Sequence, residues 1–189
     1  MAKTLVLGLG NILLRDEGVG VRVVERLLER YEFPPEVQVM DGGTLGLSLL
    51  PYVEDASCVL VIDAVQAHEP PGTLLRLTGG QILAFLDTSK VSCHQEGLRD
   101  LLAVAKLKGC LPEEVVLLGA QIDSQAVGLE LTPSVAESVE LLVKAALEEL
   151  AGWGVEPPTR RADAADEARE PSGRWRRLGG DGARGKRCV

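Results

Sequence analysis

The chain lacks several features that would fix its class at once. In 189 residues no apolar run approaches the roughly 18 that a bilayer requires. The four cysteines, Cys58, Cys93, Cys110 and Cys188, form no CxxC pair and no regular framework, so reduced thiols are expected rather than disulfides or a zinc knuckle. GxSxG and HExxH are both missing, which leaves a serine hydrolase or a zincin without motif support. An excess of positive charge is missing too: 20 Lys and Arg against 28 Asp and Glu give −8, the wrong sign for a nucleic-acid partner. No internal repeat is visible. The opening Met1-Ala2-Lys3 and TLVLGLG have no small-residue cleavage site and run into Asn11 and Arg15-Asp16-Glu17. They read as a buried first strand instead of a signal peptide, and the cytoplasm is the expected location.

What is present is a foldable body. Hydrophobic residues make up 46% of the chain, enough for a core. Short apolar runs (KTLVLGLGN, VQVMDGG, SCVLVIDAV, GTLLRL, EEVVLLGAQ) alternate with helical periods beginning at Gly18, near Gln95 and at Pro133. TLGLSLLPYV reads as a short helix broken near Pro51, and the first helix as ended by Pro34-Pro35. SCVLVIDAV, the most apolar run, suits a central strand covered on both faces. This alternation predicts a three-layer α/β fold, with a twisted, mostly parallel sheet of about five strands between helices.

Charge divides the chain. Residues 157–189 carry nine Lys and Arg against five Asp and Glu, a net of +4, which leaves −12 on residues 1–156. One α/β domain is therefore expected over 1–152, followed by a basic tail, 153–189, too poor in apolar residues to fold alone.

In such a fold ligands bind at the carboxyl ends of the strands. Asn11 and Asp16-Glu17 follow the first strand, Asp41-Gly42-Gly43 end the second, Asp63 ends the third, and His94 precedes a helix. Each has an ordinary reading: Asp16 and Glu17 as acids at a helix start, Asp41 as a turn residue, His94 as a cap. Asp63 is harder to explain so, because a carboxylate after CVLVI is costly to bury without a partner. Together, Glu, Asp and His are a plausible ligand group for a divalent transition metal, and the same carboxylates could instead activate a water. A dinucleotide loop begins at Gly8-Leu9-Gly10 but fails at Leu13, and two acids follow where a pyrophosphate would sit.

LVLGLGNILLRDEGVGVRVVE, MDGGTLG, VIDAV, SCHQEGL and GLELTPSV, in that order over residues 3–150, resemble the hydrogenase maturation proteases, whose fold is phosphorylase/hydrolase-like. The resemblance implies an endopeptidase that removes the C-terminal extension of a [NiFe]-hydrogenase large-subunit precursor once nickel is in place. It implies that Glu17, Asp63 and His94 contact that nickel, which the precursor itself presents, and that Asp41 serves activity or precursor recognition. Asp41, Asp63 and Glu17 are then the candidate catalytic groups, with Asn11, Asp16, Gly42 and Gly43 shaping the substrate cleft. The enzyme is expected to work as a monomer. Ile122-Asp123 departs from the Pro-Glu pair common in the family, which bears on precursor choice, and the tail has no counterpart carried over. A nickel carrier or assembly chaperone using the same ligands without cutting is the alternative from another class. A nucleotide- or flavin-binding module of similar architecture is the third.

Overall fold

The computed structural model describes residues 3–88, 93–161 and 175–177. The chain runs β1 (Thr4–Leu9), a 3-10 turn (Arg15–Gly18), α1 (Val19–Arg30), β2 (Tyr31–Glu32), β3 (Val37–Gly43), a second 3-10 turn (Gly46–Leu49) and α2 (Leu50–Glu54). It continues through β4 (Cys58–Val65), β5 (Leu74–Thr78), α3 (Gly80–Thr88), α4 (Cys93–Leu107), β6 (Glu114–Gln121), α5 (Pro133–Gly152), β7 (Thr159–Arg160) and β8 (Trp175–Arg177).

The sheet order is β3-β1-β4-β6-β5-β8. The first four strands are mutually parallel, and β5 runs antiparallel to β6. The mostly parallel α/β sheet expected from the sequence is therefore present, with β4 inside it and all eight of its residues buried. Side chains alternate across β4. Cys58, Leu60, Ile62 and Ala64 join one core with Val23, Val24 and Leu27 of α1 and Leu142 and Leu150 of α5. Val59, Val61 and Val65 join a second core with Val53 of α2, Ile82 and Leu86 of α3 and Leu98, Leu101 and Leu102 of α4. Two apolar layers enclosing a doubly covered sheet are what the unbroken run CVLVI requires.

Several local readings change. Pro51 does not break a helix: it sits in the first turn of α2, where its missing N–H costs nothing. Helix α1 stops at Arg30, before Pro34, because Tyr31 turns to extended backbone and pairs with Arg160 of β7. Helix α3 was not foreseen, since Gly79-Gly80 and the compact run ILAFL give no clear period. Cys58 is disulfide-bonded, against the expectation of reduced thiols, while Cys110 is free. Pairing depends on proximity in space, which cysteine spacing does not encode.

Two pieces of the segment set apart as a tail are ordered on the body. Thr159–Arg160 pairs antiparallel with Tyr31–Glu32, and Arg161 N–H donates to the Arg30 carbonyl at 2.8 Å. Trp175–Arg177 adds a sixth strand parallel to β5, and Arg176 forms an ion pair with Glu69. Residues 162–174 and 178–189 lie outside the described residues.

Candidate active site

Four parallel strands bring the loops after β1, β3, β4 and β6 to one end of the sheet. Two glycines let these loops close over it. Gly10 has φ +127°, and a Cβ there would fall 1.7 Å from the Glu17 carbonyl oxygen. Only glycine lets the chain fold back so tightly after β1. Gly20, in the first turn of α1, lies so close that a Cβ would meet the Ile62 carbonyl oxygen at 2.1 Å and that of Leu9 at 2.4 Å. The start of α1 is thereby pressed onto the ends of β1 and β4, and the Arg15–Gly18 turn packs against β4.

Asp16 and Glu17, adjacent in sequence, do different things. Asp16 is fully buried, and its carboxylate accepts from the N–H groups of Asp123 (3.0 Å), Ser124 (2.9 Å) and Thr132 (2.7 Å) and from the Thr132 hydroxyl (2.9 Å). None of these donors belongs to α1, so the helix-start reading gives way to a clamp across the loop between β6 and α5. That clamp engages both oxygens of the Asp16 carboxylate. Glu17 is 5% exposed, and its Oε1 accepts from Gln125 Nε2 at 2.6 Å.

Asp63 is also fully buried, with Oδ1 accepting from the N–H of Ala64 at 2.7 Å. The alternation of β4 puts it on the side of Val61 and Val65, the face covered by α4. Its neighbour in the ladder is Gly119, which carries no side chain to crowd it. His94 lies in the first turn of α4, on that same side of the sheet, and its side chain is outside the described residues. The end of α4 is drawn toward the loop after β3 by two glycines: a Cβ on Gly97 would sit 3.0 Å from the Gly46 Cα. Glu17 and Asp63 are thus on touching elements, and the loop of Asp41 abuts the helix of His94.

Asp41 is exposed at the rim, and its Oδ1 accepts from the Gly43 N–H at 2.8 Å, the turn geometry its sequence context predicts. Gly43 takes φ +44°, and its carbonyl accepts from the Gly10 N–H at 3.0 Å, stitching the first two loops together. Gly42 is buried against Leu9 and Leu49. Asn11 closes its own turn, Oδ1 accepting from the Leu13 N–H at 3.0 Å. The side chain of Gln121 organises the loop after β4, its Oε1 accepting from the Ala67 (2.7 Å) and Glu69 (3.3 Å) N–H groups.

Sequence reasoning missed Gln125 and Thr132. Both act on residues more than 100 positions away, and nothing in QAVGLELTPS marks them as polar partners of the DE pair. Asp123, half of the departure from the family pattern, contributes its backbone N–H to the clamp and leaves its side chain exposed. Replacing Gln125 with Ala is expected to lower the activity of the site roughly tenfold, the order of one lost hydrogen bond to a charged group. The melting temperature should stay within a few degrees, because the residue is exposed. Glutamine-specific rescue is the control: an Ala variant with unaltered kinetics would remove Gln125 from the site.

Comparison with known proteins identifies the family. The family model "Hydrogenase maturation protease" matches residues 21–149. The hydrogenase expression/formation protein HupD of Rhodobacter capsulatus is 40% identical over 171 residues, covering 90% of this chain and 81% of that protein. Hydrogenase 2 maturation protease of Escherichia coli is 38% identical over 161 residues, covering 85% of this chain and 98% of its own. In structure, the hydrogenase maturating endopeptidase HybD of E. coli superimposes with a TM-score of 0.80 at 37% identity, over 86% of this chain and 99% of the other. With its fold, its DEG and DGGT loops and its close relatives in agreement, the chain belongs to the hydrogenase maturation protease family and is an endopeptidase of hydrogenase maturation.

Proposed function

We propose that the enzyme removes the C-terminal extension of a [NiFe]-hydrogenase large-subunit precursor after nickel insertion, and that nickel held by the precursor is read by Glu17, Asp63 and His94. The observation carrying this reading is a pair of deeply buried carboxylates, Glu17 and Asp63, on touching elements at the ligand-binding end of the sheet. Each has one oxygen fixed by an N–H donor. Carboxylates set this deep at the ligand-binding end of the sheet favour positive charge on a bound substrate. A nickel ion whose coordination is partly filled by the precursor would supply that charge, and two carboxylates and an imidazole suit such an ion.

With Glu17 and Asp63 facing the metal, Asp41 is the rim carboxylate left for proton transfer. Asp41 takes a proton from water, whose oxygen adds to the scissile carbonyl carbon. The C–N bond then breaks, and the proton passes to the leaving amine. Asn11 and Gly43 border the cleft for the extended substrate backbone, Gly42 holds their loop against Leu9 and Leu49, and Asp16 holds the loop that carries Gln125. As part of the same proposal, the enzyme works in the cytoplasm as a monomer. Among the described residues no helix is long and apolar enough to cross a membrane.

The test is incubation of purified enzyme with large-subunit precursors, nickel-loaded and nickel-free, followed by C-terminal mass analysis. Loss of the extension from the loaded precursor alone is expected. Equal cleavage of both forms would remove the nickel-reading role. Tight nickel binding by the enzyme alone, with no precursor shortened, would make it a carrier.

A further inference from the structure

Large apolar side chains exposed to solvent are concentrated around this site. Ile12 and Leu13 follow β1, Leu45 and Leu47 follow β3, and Val127 and Leu129 follow β6. Among the described residues they are six of the ten such side chains found exposed, led by Val127 at 88%, Leu129 at 61% and Leu13 at 57%. Their loops are joined through the backbone. Gly128 N–H donates to the Leu13 carbonyl at 2.9 Å, Arg15 N–H donates to the Gly128 carbonyl at 2.9 Å, and the Gly10–Gly43 bond ties in the third loop. Six apolar side chains on separately floppy loops would be incidental, whereas on stitched loops they present a held surface.

The charge around them is acidic in balance: Arg22 of α1 reaches the Leu129 carbonyl at 3.3 Å but is paired with Glu25 at 3.0 Å. Asp41, Asp123 and Glu130 stand exposed on the same loops. Arg15, the one cation in the three loops, folds its side chain over Gly128, where a Cβ would lie 3.1 Å from its Cγ. Arg15 holds this position with φ +48°, an unfavourable conformation for a long side chain outside glycine. The surface left open is apolar with an acidic fringe.

We propose that this rim is the docking surface for the hydrogenase precursor, and that it takes an apolar segment of the precursor flanked by basic side chains. The proposal rests on the endopeptidase reading above and adds how the protein substrate is gripped beyond the scissile bond. Apolar contact supplies affinity, and the acidic fringe orients the segment so that the scissile bond reaches Asp41. Selectivity among precursors would then reside in these loops, outside the reacting groups.

The experiment measures both binding and processing of a nickel-loaded large-subunit precursor by the wild type, by the double variant Leu13→Glu/Val127→Glu and by Leu107→Glu. Leu107 is 87% exposed at the far end of α4, near the amino ends of the strands, and serves as an equally exposed apolar control. The double variant should bind at least about tenfold more weakly, with KM raised in proportion and kcat within about twofold. Leu107→Glu should match the wild type in all three. A double variant that binds as tightly as wild type overturns the docking surface, whether or not the precursor is cut. A wild type that binds through the rim but shortens no precursor would leave docking standing and remove the endopeptidase reading. A wild type that neither binds nor cuts overturns both.

Discussion

Glu17→Gln is expected to lower processing of nickel-loaded precursor by about 100-fold or more, the scale of losing a charged group that acts on the reacting centre. The substitution keeps the shape of the side chain and an oxygen for Gln125 Nε2 to donate to, so the Arg15–Gly18 turn should stay in place. Only the negative charge is removed. At 5% exposure that charge is poorly screened by water, and its effect on a cation arriving in the cleft is correspondingly large. Steady-state kinetics and thermal unfolding should be read on the same preparation. The expected pattern is a large fall in kcat/KM with a melting temperature unchanged or raised, since a buried charge has been neutralised. The Asp63→Asn variant should follow the same pattern. Processing within about threefold of wild type in both variants would take the two carboxylates out of the mechanism.

How much of this was legible beforehand depends on the range of each interaction. The five apolar runs declared the strands because a doubly covered strand needs an unbroken apolar run, and β4 provides one in CVLVI. Asp63 stood out for the same reason, as a charge where only apolar residues are cheap. The turn contact of Asp41 was legible because its partner, Gly43, is two positions away. Asp16 was not. Its four donors lie 107 to 116 residues downstream, and an acid at the start of a helix looks the same whether it serves that helix or a distant loop. Gln125 was hidden likewise, because its role is set by Glu17 and not by its own neighbours. The pairing of Trp175–Arg177 with β5 escaped a reading based on composition, since an edge strand of three residues needs little apolar surface of its own.

Asp16→Ala should therefore be the most damaging single change to stability near the site. Removing the carboxylate leaves three backbone N–H groups and one hydroxyl without their acceptor, in a place that is fully buried. Such losses amount to about 3–5 kcal/mol, which in a domain of this size lowers the melting temperature by roughly 10 °C or more. Asp16→Asn should recover little, because its amide nitrogen would face N–H groups that need an acceptor. The damage should also be local before it is global. The clamp holds the segment that carries Gln125 and Val127, so amide exchange at Ser124 and Thr132 should accelerate well below the unfolding temperature. Processing should fall as well, even where the protein is still folded, because Glu17 then loses the donor that orients it. A variant with a near wild-type melting temperature and slow exchange at both amides would mean that the loop is held by something other than Asp16. If the clamp acts as described, the two acids of the DEG turn divide the work: Asp16 fixes the loop that positions Glu17, and Glu17 faces the substrate.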